Sequence, residues 1–155
     1  MNELTRRCLF QAAIAAAFYG RWATRTAVAE DGNAATPRVA IEGYDPVAYF
    51  TDGHPVKGSA EFSFSFDDAV YHFASAEHQK MFATDPDHYA PQYSGYCAVG
   101  VSYGYKATVD PESWVISDGK LYVFHSKKGL SLFAADPAGT IAKANTNWLA
   151  LKAQH

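Results

Sequence analysis

The chain has 155 residues, a formal net charge of −3, 48% hydrophobic residues and two cysteines. That length suits one domain, and the negative balance argues against a general nucleic-acid binder, which needs clustered Lys and Arg. Two cysteines exclude a multi-disulfide scaffold and a four-cysteine zinc site. Ten Tyr, ten Phe and three Trp supply enough aromatic bulk for a substantial core.

Residues 1–29 read as a cleavable export signal. Arg6-Arg7 lies within Thr5-Arg6-Arg7-Cys8-Leu9-Phe10, a twin-arginine motif, and an apolar run from Cys8 to Gly20 follows it. Thirteen mildly apolar residues are too few for a stable bilayer span, which takes about 20, but they suit a signal-peptide core. Ala27-Val28-Ala29 gives the small-x-small pattern of a cleavage site, so cleavage is expected after Ala29. The expected location is periplasmic or extracellular, with no stable membrane insertion after cleavage. Loss of residues 1–29 leaves 9 basic against 15 acidic residues, a net −6, and one thiol, Cys97. A lone cysteine in an oxidising compartment is buried, ligated or reactive.

Residues 30–38, with Gly32, Asn33 and Pro37, read as a flexible lead-in to one domain over 39–155. Phe62-Ser63-Phe64-Ser65-Phe66 alternates as a half-buried strand, Asp67-Asp68 turns, and Val70–Phe73 returns. Ser75 is placed to cap a helix through Phe82, which stops before Asp85-Pro86. The pattern then recurs. Trp114–Ile116 is a strand, Asp118-Gly119 a hairpin turn, Leu121–Phe124 the return, and a helix from Ser126 to Phe133 ends before Asp136-Pro137. A last helix is expected from about Ile141 to Lys152, with Ile141, Ala144, Trp148 and Leu151 on one face.

The two runs align. At a shift of 51, Tyr71, Phe73, Ser75, Phe82, Asp85 and Pro86 meet Tyr122, Phe124, Ser126, Phe133, Asp136 and Pro137. At a shift of 52, Gly43-Tyr44-Asp45-Pro46-Val47 meets Gly95-Tyr96-Cys97-Ala98-Val99. The expected fold is therefore α+β: two degenerate ββα units in one small domain, closed by a C-terminal helix. Asp45 and Cys97 become equivalent, as do Ala74 and His125, and a pseudo-twofold arrangement could bring these positions towards one another.

Three segments carry a family resemblance: Gly43–Phe50, Tyr71–Ser75 with Phe82 and Asp85–Tyr89, and Pro91–Ala98. They resemble the YHS domain family, in its exported single-domain branch, over roughly residues 39–151. Short metal-binding members, related to TRASH-like heavy-metal-binding modules, carry cysteines where this chain has Ala48, Ala74 and His78. The usual thiolate cage is thus dismantled here.

The resemblance implies soft-metal chemistry centred on what remains: Cys97, with His125, His78 and Asp45 as further ligand candidates. Thiolate and imidazole select copper first and zinc second, over magnesium or calcium. No pair of histidines has helical ligand spacing. His54, His72 and His88 read as surface or loop residues, and His155 ends the chain. Tyr44 and Tyr96 are expected in the core or at a pocket edge. The implied function is binding or transfer of a metal ion, with no nucleotide cofactor, no nucleic acid and no protein partner that the residues name. Two other readings compete: an aromatic pocket for a small organic ligand, and an enzyme pairing Cys97 with a histidine base. For catalysis there is no oxyanion-hole glycine cluster and no phosphate-cradling loop.

Overall fold

The computed structural model describes residues 37–154. The expected export signal, with Cys8 and the expected cleavage position, and His155 lie outside the described residues. Among those described, no helix is long and apolar enough to cross a membrane.

The architecture is α+β and repeats itself. In the first repeat β1 (Arg38–Val39), α1 (Ala48–Thr51), β2 (Ser59–Phe66), β3 (Ala69–Phe73), α2 (Ala76–Thr84) and α3 (Pro86–Tyr89) follow in order. In the second come α4 (Ala98–Ser102), β4 (Asp110–Ser117), β5 (Lys120–Phe124), α5 (Lys127–Ala135) and α6 (Pro137–Lys152). The hairpins β2–β3 and β4–β5 are antiparallel. Ser63↔His72, Phe64↔Tyr71, Ser65↔Val70 and Phe66↔Ala69 match Trp114↔Val123, Val115↔Tyr122, Ile116↔Leu121 and Ser117↔Lys120. Even the irregularity is shared, falling between Ser59 and Ser63 and between Asp110 and Trp114. Both hairpins turn through left-handed residues, Asp67-Asp68 and Asp118-Gly119, which Asp and Gly tolerate best. The lead-in ends one residue sooner than the sequence suggests: Arg38 pairs with Ala69 and Val39 with Val70, adding β1 parallel to β3.

Each repeat carries, ahead of its first helix, a turn that no pattern in the sequence announced. Ile41, Glu42 and Gly43 have φ of 48°, 51° and 79°, and Tyr93, Ser94 and Gly95 have 57°, 50° and 75°. Two successive non-glycine residues in the left-handed region cost energy. Burial of Ile41 and Tyr93 in the core holds them there. Gly43 and Gly95 close the turns, where a side chain would be strained.

The helices obey their caps. Ser75 and Ser126 accept from the backbone N–H of His78 (3.2 Å) and Gly129 (3.5 Å). Asp85 and Asp136 accept from the N–H of His88 and Gly139, and Pro86 and Pro137 occupy the first helical position. The final helix therefore starts at Pro137, four residues before the expected Ile141. Its buried face carries Ala144 and Leu151, with Ile141 and Trp148 half-buried.

Aromatic rings fill the centre of each repeat the same way. Tyr71 and Phe73 lie 4.9 and 5.1 Å from Phe82, at interplanar angles of 34° and 56°. Tyr122 and Phe124 both lie 5.1 Å from Phe133, at 34° and 51°. Across the repeats, the Tyr49 hydroxyl donates to the Pro111 carbonyl at 3.0 Å, and the Ser94 hydroxyl donates to Asp67 at 2.8 Å.

Two predictions follow from these phenols. The buried Tyr71 hydroxyl has no hydrogen-bond partner among the described residues, so Tyr71→Phe removes an unpaid desolvation penalty. It should raise stability to denaturant by about 1 kcal/mol. Burial also pushes the phenols of Tyr49, Tyr71 and Tyr122 up, and lifts Tyr93 from 10.0 to about 12 with Tyr122 beside it. An unfolded chain ionises these groups near pH 10 and the folded chain only above it. Stability should therefore be intact below pH 10 and fall as pH rises towards 12. A tyrosinate absorbance titration should show the buried phenols ionising together with unfolding.

Candidate functional site

Two sites, one per repeat, occupy equivalent places. The first is built on Asp45, which is fully buried. The segment after the left-handed turn is pinned by the Asp45 N–H donating to the Val56 carbonyl at 2.9 Å. That fixes the carboxylate over the start of α1 and the end of β3. Oδ1 accepts from the Val47 N–H at 2.8 Å and more weakly from the Ala48 N–H at 3.4 Å. Oδ2 accepts from the Ala74 N–H at 2.8 Å, and His78 Nδ1 lies 2.7 Å from it. The imidazole comes from the first turn of α2, and 17% of its side chain remains accessible. A buried carboxylate with this many donors is satisfied, and it ties α1, β3 and α2 together.

The second site has the same frame and different contents. The Cys97 N–H donates to the Ala107 carbonyl at 3.1 Å, as Asp45 does to Val56. Cys97 Sγ accepts from the Gly100 N–H at 3.4 Å, the counterpart of the long Ala48 contact. The position of His78 is taken by Gly129. The Asp45–His78 contact has no side-chain counterpart, and a cavity of about 320 Å3 lies there. Cys97, almost wholly buried, lines it with Gly100, His125, Gly129 and Leu132, and Tyr103 and Tyr105 stand exposed at its rim. His125 Nδ1 lies 3.1 Å from the Thr108 carbonyl. As a donor to that carbonyl, the ring keeps its proton on Nδ1 and leaves the Nε2 lone pair free.

The four expected metal ligands are thus divided in pairs. Asp45 and His78 meet in the first repeat, and Cys97 and His125 face one cavity in the second. Among the described residues no group of three or more His, Cys, Asp and Glu side chains is arranged to hold a metal ion. Ala74 reaches Asp45 through its backbone N–H, a contact within the first repeat.

Tyr44 and Tyr96 are half-buried, and neither lines the Cys97 cavity. Their ring faces take cations instead: Lys57 Nζ stands 4.7 Å from the Tyr44 centroid, and the Arg38 guanidinium 3.9 Å from that of Tyr96. His72 is half-buried between inward Tyr71 and Phe73. His54 and His88 are exposed, and His88 stacks 4.9 Å from Phe50. The cavity residues Tyr103, Tyr105 and Leu132 carried no motif. The structure shows these large, apolar side chains exposed, which the residues alone do not reveal.

Comparison with family models, with curated proteins and with solved structures finds no match to this chain.

The contrast between the two sites sets an order of stability losses. Asp45→Ala strands His78 and three backbone donors in the core and should cost about 3–5 kcal/mol. His78→Ala removes one donor to a carboxylate and should cost about 1.5–3 kcal/mol. Cys97→Ala, at the position equivalent to Asp45, should cost only about 1 kcal/mol. Denaturant unfolding of the three variants checks the order, and equal losses at Asp45 and Cys97 contradict it.

Proposed function

We propose that this protein is an exported metal-binding protein, a divergent member of the YHS family. It holds one Cu(I) ion between Cys97 Sγ and His125 Nε2. The observation that carries the reading is the shared cavity: a buried thiol and an imidazole with its second nitrogen tethered to a carbonyl both face it. Metal-ligating histidines have that backbone tether as a rule, and the Gly100 N–H holds the sulfur in place at the cavity wall. Thiolate with imidazole selects a soft ion. Zinc becomes the weaker choice, because a closed zinc site takes four protein ligands and this cavity offers two. Asp45 and His78 are left out of the metal shell, since each already satisfies the other. The twin-arginine segment supports export, and the ion is cargo to be bound or passed on.

A second reading, a small organic ligand in the same cavity, is favoured by one observation. At about 320 Å3 the space exceeds what a single ion fills, and Tyr103, Tyr105 and Leu132 extend it outward. An enzyme has less support. No described residue stands as an orienting third partner to a Cys97–His125 pair other than the Thr108 carbonyl.

The test is a Cu(I) titration of the mature protein against a competing chelator, read for stoichiometry and affinity. One equivalent is expected to bind, Cys97→Ser to weaken it at least tenfold, and His125→Asn to weaken it as well. His78→Asn should leave the affinity unchanged. Equal affinities for wild type and Cys97→Ser overturn the reading.

A further inference from the structure

The repeat supplies a reference for what the second cavity is shaped to take. Positions correspond at a shift of 52 before the loop and 51 after it. The residues lining the cavity, Cys97, Gly100, Ala107, Ser126 and Gly129, therefore answer to Asp45, Ala48, Val56, Ser75 and His78. The hydrogen bonds agree with that correspondence, pair by pair: Asp45 to Val56 with Cys97 to Ala107, Ala48 to Asp45 with Gly100 to Cys97, and His78 to Ser75 with Gly129 to Ser126. In the first repeat the imidazole of His78 stands at this frame, with Nδ1 2.7 Å from Asp45 Oδ2 and 17% of the side chain accessible. In the second, glycine removes the ring and keeps the frame.

We propose that the Cys97 cavity is a binding site for a small azole, an imidazole ring carried by a small molecule. The bound ring lies where the His78 ring lies in the first repeat. Its N–H donates to Cys97 Sγ, as Nδ1 faces the Asp45 carboxylate, and its flat faces pack between Gly129 and the aromatic rim. The cavity is larger than the bare ring, so a substituent can run outward past Tyr105 and Leu132, both exposed. Lys128 and His125 at the mouth favour an anionic or neutral substituent over a cationic one. The site shares its cavity with the Cu(I) reading but needs no metal, so the two stand or fall separately.

The experiment titrates metal-free mature protein, kept under chelator at pH 8, with 4-methylimidazole. At that pH the ring is mostly in its neutral form. Backbone amide shifts are the readout. Saturable shifts are expected at Cys97, Gly100 and Gly129, with none at Asp45, Ala48 or His78. Thiophene, a ring of the same size without an N–H, should bind at least tenfold more weakly. Gly129→His supplies the ring from the chain itself and should abolish the response at least tenfold. A Cβ at residue 129 meets Phe124 Cβ at 3.3 Å, so that neighbour must give slightly. Gly129→Ala carries the same Cβ without the ring. It should keep azole binding and be less stable than Gly129→His. No saturable shift with wild-type protein, or equal binding of thiophene and 4-methylimidazole, overturns the proposal whatever the variants do. Azole binding with no Cu(I) uptake would remove the metal reading alone, and Cu(I) uptake without azole binding would remove this one alone.

Discussion

The fold of the first repeat hangs on one buried carboxylate. A charge taken fully out of water is tolerated only when its lone pairs are met, and Asp45 receives Val47, Ala48, Ala74 and His78. Those four donors come from the start of α1, from the end of β3 and from α2, and the whole of β2 separates the first from the other two. Helix α1 can start only where the carboxylate takes its first N–H groups. The end of β3 and the start of α2 are drawn to the same point. The aromatic cluster around Phe82 then packs behind a fixed frame.

The second repeat keeps the frame with a weaker centre. A thiol accepts one long hydrogen bond from Gly100 where a carboxylate accepts several short ones. With glycine at 129, no side chain stands where His78 stands in the first repeat. Other contacts make up the stability there: α6 runs 16 residues, and Tyr93 packs on Trp148 at 5.8 Å and bonds to Asn145. The same exchange of residues at two positions thus lowers local cohesion and opens a cavity. The chemistry on offer, a shielded sulfur and a tethered imidazole lining one cavity, follows from that exchange.

Much of this was legible from the residues. Both hairpins, their turns and the serine-capped helices follow from alternation, Asp-Asp and Asp-Gly pairs, and Ser75 and Ser126. The internal repeat gave the α+β architecture. Other features stayed hidden for physical reasons. Asp85-Pro86 and Asp136-Pro137 stop one helix and start the next, and only the stopping role was read. The left-handed pairs at Ile41-Glu42 and Tyr93-Ser94 run against the preferences of those side chains, and only Gly43 and Gly95 hinted at them. The pairing of Asp45 with His78 needed the fold, since 33 residues separate them. Tyr44 and Tyr96 were expected in the core or at a pocket edge, and both pack against the core, with Tyr96 also lining a pocket beside Arg38 and Lys106. The cations over their rings, Lys57, Arg38 and Lys106, come from segments distant in sequence.

Duplication has one more consequence, which concerns tolerance to change. A single-copy domain has one buried polar residue for two duties, and any drift that alters its ligand also loosens its helix. Here Asp45 holds one copy of the frame, and Cys97 sits in the other with few obligations. Substitutions at Tyr103, Tyr105 and Leu132, exposed around the cavity mouth, touch no residue that the first repeat relies on. Such a molecule can change what it recognises by small surface steps and remain folded at each of them.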